Sequence, residues 1–397
     1  MTNYAQLPQA VPAELADEFL KRLPYVSEGL AEFRLSDDAS QVVFRLKSGF
    51  EDRSETVASG IANVAEKLCF SYRPGMSRVV AQQDTLPSSY SENPHDHLKK
   101  TGELVEFGRG RFGFGPMLVG LIAKLDELAR ERANEFSAPE YEFPALIGAE
   151  VLDRCRYLRN FPSSLNMVEH LREDLPRIQE FAKTVTCDQG HLQFDSSSLS
   201  GVETLLSPSV CFHWYNWLRD RVLPAGTAIT AWGKCFRYES SNLSGLERLW
   251  DFSMREIIFV GPPQFVLDGR EKCISSCVSL LDDLGLAYEI STATDPFFVD
   301  SYAVQAAFQK GFELKFELLC PLPYSGKKLA VGSVNYHQDF FGRTFGIESD
   351  QAPAHTGCLG FGLERLALAF LAQHGVDESA WPSKVRRVLG RAKSVGQ

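Results

Sequence analysis

With 397 residues and 44% hydrophobic content, the chain can fill one large catalytic domain plus a smaller appendage, which excludes disorder as its default state. A formal net charge of -10 argues against general attraction to nucleic acid, because binding a phosphate backbone rests on clustered Lys and Arg. Met1–Ala10 has no basic segment leading into an apolar stretch, and the aliphatic run Leu366–Ala372 is far too short to span a bilayer, so a cytoplasmic protein with no membrane association is expected.

Residues 1–105 differ in composition from the rest and predict a small α/β appendage followed by a linker. They contain an alternating stretch (Gln41, Val42, Val43, Phe44, Arg45, Leu46), a helical stretch over Thr56–Leu68 and a polar segment over Ser88–Lys100. Residues 106–397 read as the catalytic domain. From Gly115, the spacing of Leu118, Leu121, Ile122, Leu125 and Leu128 predicts an amphipathic helix ending near Glu135, followed by an apolar extended segment, Phe143–Ile147, that holds Pro144. A helix over Val210–Val222 precedes strands at Thr227–Tyr238 and Phe252–Val260. A helix over Arg270–Leu284, strands at Lys315–Leu319 and Leu329–Asn335, and an extended piece at His355–Gly360 come next. The last predicted helix, Leu363–Gln373, sets Leu363, Leu366, Phe370 and Leu371 on one face. Long runs of strand without βαβ alternation indicate an α+β fold, an antiparallel sheet flanked by helices.

Two segments carry chemistry for a nucleotide. In Lys234-Cys235-Phe236-Arg237-Tyr238-Glu239 and Arg248-Leu249-Trp250-Asp251-Phe252, each residue type has a use. Arg237 can pair bidentately with an α-phosphate, Glu239 can accept from the adenine amino group, Phe252 can stack on the base and Arg248 can hold the distal phosphates. An Arg and a Glu two apart on a strand are by themselves an ordinary solvated ion pair. The segment Gly360-Phe361-Gly362-Leu363-Glu364-Arg365 changes that reading, because it puts a guanidinium on the first turn of a helix behind a glycine-permitted close approach.

These segments resemble motifs 2 and 3 of the class II aminoacyl-tRNA synthetases, and Gly115–Ile147 resembles the degenerate motif 1 that builds the dimer interface of that family. Lys315–Pro321 and Gly332–Phe340 are similar to the seryl branch. The specific resemblance, over approximately residues 115–373, is to the zinc-dependent seryl enzymes of methanogens and their truncated relatives, the amino acid:[carrier protein] ligases. It implies a zinc site of Cys211, Glu256 and Cys358, whose open fourth position binds the substrate's α-amino group. It also implies ATP as substrate, held by Arg237, Glu239, Arg248, Phe252 and Arg365, and a homodimer. One departure stands out: ordinary seryl enzymes carry a magnesium-binding Glu three positions before a Ser, where this chain has Ala330 before Ser333, which leaves Glu317 and Ser333 as the candidate Mg²⁺ ligands.

The implied reaction is activation of a small amino acid as an adenylate, with Arg237 and Arg365 as the catalytic cations, and transfer to a phosphopantetheine thiol on a carrier protein rather than to tRNA. Residues 1–105 lack both the long coiled coil of ordinary seryl enzymes and a dense basic patch. Ligase-type relatives favour glycine or alanine, and serine stays open. Two alternatives also stand: a seryl-tRNA synthetase, and a catalytically silent paralogue acting as a binding protein, on whose side Ala330 counts.

Nine irregularly spaced cysteines argue against a disulfide framework, and Cys273 and Cys277, four apart on a helix, read as core thiols. Gly108-x-Gly110-x-x-Gly113 formally matches the dinucleotide fingerprint but lacks the following strand and carboxylate, so it reads as a glycine-rich linker. His95-Asp96-His97 sits in a polar segment with no third ligand nearby and reads as a solvated loop.

Overall fold

In the computed structural model, which describes residues 2–70, 78–293 and 313–389, the alternating stretch forms a strand that buries Val42 and Phe44 and exposes Arg45. Strands β1 (Thr2–Gln6), β2 (Leu30–Leu35) and β3 (Gln41–Leu46) form an antiparallel sheet in the order β1-β3-β2. Helices α1 (Ala13–Arg22) and α2 (Ser54–Phe70) close a core of Phe19, Val42, Phe44, Ile61 and Leu68. This core ends at Cys69, and by Val79 the chain has joined the main domain, well before the expected boundary at residue 105.

Strand β4 (Val79–Gln83) is an edge of the main sheet. The polar segment expected to be a linker contains a helix, α3 (Pro94–Lys100), which buries Leu98 in the main core. Asn93 caps it by accepting from the amide of His95 at 3.1 Å, and Pro94 occupies its first turn, a start signal that the polar composition obscured. Strands β5 (Leu104–Gly108) and β6 (Arg111–Phe114) form a hairpin, so the glycine pattern is a turn: Gly110 has φ +70°.

Helix α4 (Pro116–Ala133) buries Leu118, Leu121, Leu125 and Leu128, as its spacing predicts. Strand β7 (Glu140–Glu142) then forms the far edge of the sheet. Helix α5 (Cys211–Trp217) stops short of the expected Val222, with Asp220 in a left-handed turn at φ +57°. The remaining elements are β8 (Thr227–Phe236), β9 (Asp251–Gly261), α6 (Pro263–Asp283), β10 (Tyr288–Thr292), β11 (Lys315–Leu322), β12 (Lys327–Gln338), β13 (His355–Gly362) and α7 (Leu363–His374). Eight strands run in the order β4-β10-β11-β12-β13-β9-β8-β7, antiparallel except for the β8–β7 pair. No described helix is long and apolar enough to cross a membrane.

One face of the sheet packs on α4, α6 and α7, where Ile257, Phe259, Leu318 and Phe361 meet Leu125, Leu366 and Phe370, and Cys273 and Cys277 are buried core thiols as expected. The other face carries α5 and a second core around Trp214, Tyr215, Ile229 and Ile258. The expected extended segment Phe143–Ile147 overlaps a strand, Leu146–Gly148, which forms a small sheet with Met167–Val168 and Thr204–Leu206; residues 149–207, where the sequence signals no element, also hold a helix, Leu175–Thr184, with no buried residue.

Arg255, buried at the centre of β9, ties this sheet to α4. Its Nε and Nη2 donate to both carboxylate oxygens of Asp126 on α4 at 2.7 Å, and Nη1 donates to Glu140 on β7 at 2.8 Å. Replacing Arg255 with Leu strips Asp126 of its bidentate partner and leaves Glu140 with Arg130 alone, and is expected to cost about 2–4 kcal/mol in denaturant unfolding. An unchanged unfolding midpoint would show that this triad does not anchor α4.

Candidate active site

Cross-strand partners share a face of an antiparallel sheet, so its register lists the floor of the site directly. On the face away from α4 and α6, Glu256 of β9 lies opposite Gly360 of β13, Gly360 opposite Ser333 of β12, and Ser333 opposite Glu317 of β11. The adjacent row runs Ile258, Cys358, Asn335 and Lys315. Glycine at 360 keeps the first row open: a Cβ there would come within 2.8 Å of Met254 Cε and 3.5 Å of Glu256 Cγ.

At one end of this floor the structure brings Cys211, Glu256 and Cys358 together. Their ligand atoms all lie within 4.8 Å of one another, and all three residues are buried. Cys211 enters from the first turn of α5, behind a bend in which Val210 donates its amide to Glu256 Oε1 at 3.1 Å and Ser209 Oγ donates to the same oxygen at 3.3 Å. Ser209 Oγ also lies 3.0 Å from Cys211 Sγ, and Asn335 Nδ2 donates to Cys358 Sγ at 3.6 Å. Glu256 Oε2 is buried with no hydrogen-bond partner.

Burial, followed by the charge of Cys358, pushes the Glu256 carboxyl up to about 8. The sulfur–sulfur hydrogen bond holds the Cys358 thiol down and the Cys211 thiol up. Three potential anions with an orphaned oxygen among them fit one divalent cation, and a set of two soft thiolates and a carboxylate suits zinc.

At the other end lie the arginines. Arg237 Nε donates to the Pro208 carbonyl at 3.0 Å, and its guanidinium carbon sits 5.3 Å from the Phe252 ring centroid. Arg248 pairs with Glu239, so that carboxylate is engaged by the cation expected to serve the distal phosphates. Arg365 Nε donates to the Glu247 carbonyl at 2.7 Å and Nη1 to the Ala330 carbonyl at 3.4 Å. Burial and then the charge of Arg237 lower Arg365, while burial and then Arg365 lower Arg248 to about 10. Three guanidiniums gathered in a partly desolvated place, with Glu239, Glu247 and Glu317 beside them, have a charge that suits a polyanion.

Glu317 and Ser333, adjacent across β11 and β12, continue the row that begins at Glu256. Lys315 Nζ is 3.1 Å from the Glu317 carboxylate, and Ser333 Oγ accepts from Asn335 Nδ2 at 3.0 Å. All ten residues expected from the sequence are thus placed on one face and its rim. The sequence reading missed Ser209 and Asn335. Asn335 stands two residues beyond Ser333 on the same strand, so the strand period alone could have found it. His95, set aside as a solvated loop residue, is a helical residue whose Nε2 accepts the amide of Leu246 at 2.8 Å, in the loop before Arg248.

The model of the class II core domain of tRNA synthetases (G, H, P, S and T) matches residues 203–374. Amino acid–[acyl-carrier-protein] ligase 1 of Bradyrhizobium diazoefficiens is 39% identical over 276 residues, covering 69% of this chain and 82% of that one. Ligase 2 of the same organism is 36% identical over 324 residues, covering 80% and 93%. A type-2 serine–tRNA ligase of Methanococcus aeolicus is 27% identical over 77% of this chain and 61% of its own length. The seryl-tRNA synthetase of M. kandleri, solved in complex with A. aeolicus tRNASec, shares the fold with a TM-score of 0.70 at 20% identity, covering 96% of this chain and 76% of that one. The floor of the sheet, the core match and the two ligases agree with the motifs read from the sequence: this chain belongs to the amino acid–[acyl-carrier-protein] ligase family, built on a class II aminoacyl-tRNA synthetase core.

Proposed function

We propose that this ligase condenses a small amino acid, glycine or alanine before serine, with ATP and passes the aminoacyl group to the phosphopantetheine thiol of a carrier protein. One observation carries the reading: a cluster of metal-type donors and a cluster of arginines share a single sheet face, joined by the row Glu256, Gly360, Ser333, Glu317. An amino acid bound between them presents its amine to one end and its carboxylate to the other.

In the first step a carboxylate oxygen of the amino acid attacks the α-phosphorus of ATP, and pyrophosphate leaves with the electron pair of the broken P–O bond. Arg237 and Arg365 stabilise charge on the α-phosphate, Arg248 turns from Glu239 to the distal phosphates, and Phe252 and the released Glu239 receive the adenine. Cys211, Glu256 and Cys358 would hold zinc, which when bound supplies an open ligand position for the α-amino group. Glu317 and Ser333 offer one carboxylate and one hydroxyl for Mg²⁺, a sparse set that suits an ion held mainly by substrate phosphates. In the second step the thiol attacks the carbonyl carbon of the adenylate, AMP leaves and the thiol proton passes to solvent.

The nine cysteines are all free, which supports a reducing cytoplasmic setting. Trp217 and Trp232 are 53% and 41% exposed beside edge strand β7, where Trp232 pairs with Glu142 and Trp217 lies 5.9 Å from the Tyr141 ring. An aromatic rim on the motif 1 edge supports a homodimer.

Exchange of labelled pyrophosphate into ATP tests the first step. Exchange should require glycine, alanine or serine and should fall at least about 100-fold in Cys358→Ala together with its zinc content. Folded, zinc-loaded protein that exchanges with none of these would favour the silent binding paralogue. Labelled amino acid appearing on tRNA but not on holo-carrier protein would establish the synthetase reading instead.

Zinc affinity should also depend on pH with a definite sign. With the Glu256 carboxyl raised to about 8 and the Cys211 thiol raised as well, binding a cation must displace protons, so affinity is lost as pH falls. Chelator competition between about pH 6 and about pH 7 should show at least a roughly tenfold weakening per unit, one proton's worth. A flat profile would mean that these donors do not hold the metal.

A further inference from the structure

The loop carrying Arg248 is held by groups from outside the catalytic sheet. It bends through Ser240 (φ +52°) and Gly245 (φ +48°). Ser244 and Arg248 exchange backbone hydrogen bonds of 3.0 and 3.2 Å, so the base of this turn sets where the Arg248 backbone lies. Its tip rests on α3, where His95 Nε2 accepts the Leu246 amide at 2.8 Å. A Cβ on Gly245 would stand 2.4 Å from that nitrogen, so the backbone lies directly against the imidazole. His95 Nδ1 lies 3.0 Å from Asn93 Oδ1, which accepts; the proton therefore sits on Nδ1 and Nε2 is the acceptor.

The other side of the loop rests on the N-terminal module. Asn242 Nδ2 donates to the Lys21 carbonyl at 2.8 Å, and the Tyr25 hydroxyl hydrogen-bonds with Asn242 and Ser163. Asp17, Glu18 and Tyr25 of that module also lie in the electrostatic surroundings of the Arg248 guanidinium. A module with its own core thus bears on the cation assigned to the triphosphate.

We propose that Tyr25 and His95 are positioning residues of the ATP site, which set the affinity for the triphosphate by fixing the 240–248 loop that presents Arg248. This inference rests on the reading of Arg248 as a phosphate ligand. The neutral imidazole is required, because imidazolium has no acceptor for Leu246. The charged groups facing His95 are Glu247 from the loop and Asp96 and Lys99 from its own helix. Burial outweighs them and lowers His95 below its usual value. The grip is therefore intact near neutral pH and is lost as pH falls through that lowered value.

The test is the calorimetric affinity for ATP of the full-length wild type, Tyr25→Phe, His95→Leu and His95→Gln, with zinc content measured alongside. Tyr25→Phe and His95→Leu should bind ATP about three- to tenfold more weakly, the range expected for one lost hydrogen bond, with zinc content unchanged. His95→Gln, whose amide oxygen can accept from Leu246, should recover most of the affinity. The wild type should weaken more steeply than the Gln variant as pH falls. Equal affinities in all four proteins would overturn this inference and leave the ATP reading standing. A folded wild type that binds no ATP would overturn both. Loss of zinc in His95→Leu with no recovery in His95→Gln would reduce His95 to a structural part.

Discussion

The pairing of β9 with β13 is the constraint on which the rest of the molecule depends. It sets Glu256 against Gly360 and Ile258 against Cys358, so two of the three metal-type donors reach the same face within one strand spacing. A slip of one residue would turn Glu256 into the layer occupied by Ile257 and Phe259 and bring their apolar side chains to the active face. The apolar packing of the opposite face against α6 and α7 opposes that slip, so helices on the far side of the sheet hold the site in register. Because α7 begins directly after β13, the same pairing also places Arg365 at the rim.

Both ends of the face are electrostatically uncomfortable in the protein alone. Glu256 is buried beside two thiols with one oxygen unpartnered, and Arg365 is buried beside Arg237, with burial and that charge outweighing the carboxylates of Glu317, Glu247 and Glu364. Neither arrangement helps folding, since buried groups of like charge cost stability and shift towards neutrality. Each is relieved by a ligand of opposite charge: a divalent cation at the thiolate end, a triphosphate at the arginine end. A substrate with an amine and a carboxylate one carbon apart is the natural bridge between them. The proposed chemistry thus follows from the charge that each end lacks.

Legibility in the sequence followed the range of the interactions. Strands such as Gln41–Leu46 and helices such as α4 and α7 were readable because their spacing is a local signal, Arg365 because it follows Gly360 and Gly362 at the start of a helix, and Arg237 and Phe252 because their short segments resemble a family motif. Cys211, Glu256 and Cys358 are spread over nearly 150 positions, and without the family resemblance no spacing would have joined them. The end of the appendage was misplaced because composition hid Asn93-Pro94 as a helix start and gave no sign that β4 pairs with a strand some 200 residues away. His95 was invisible for the same reason: its partner Leu246 lies 151 residues on.

The N-terminal module bears on the proposed choice of acceptor through its charge and its position. Within residues 1–70 there are seven Lys and Arg against eleven Asp and Glu. An acidic module repels a polyphosphate backbone, so it is poorly suited to guide tRNA to this site. A phosphopantetheine thiol at the end of a flexible arm makes no such demand. The module's acidic residues Asp17 and Glu18, paired with Lys21 and Arg22, add only a weak field at Arg248, the cation assigned to the triphosphate. The carboxylate that competes directly with ATP for Arg248 is its ion-pair partner Glu239, and a triphosphate with Mg²⁺ has the charge density to win that competition.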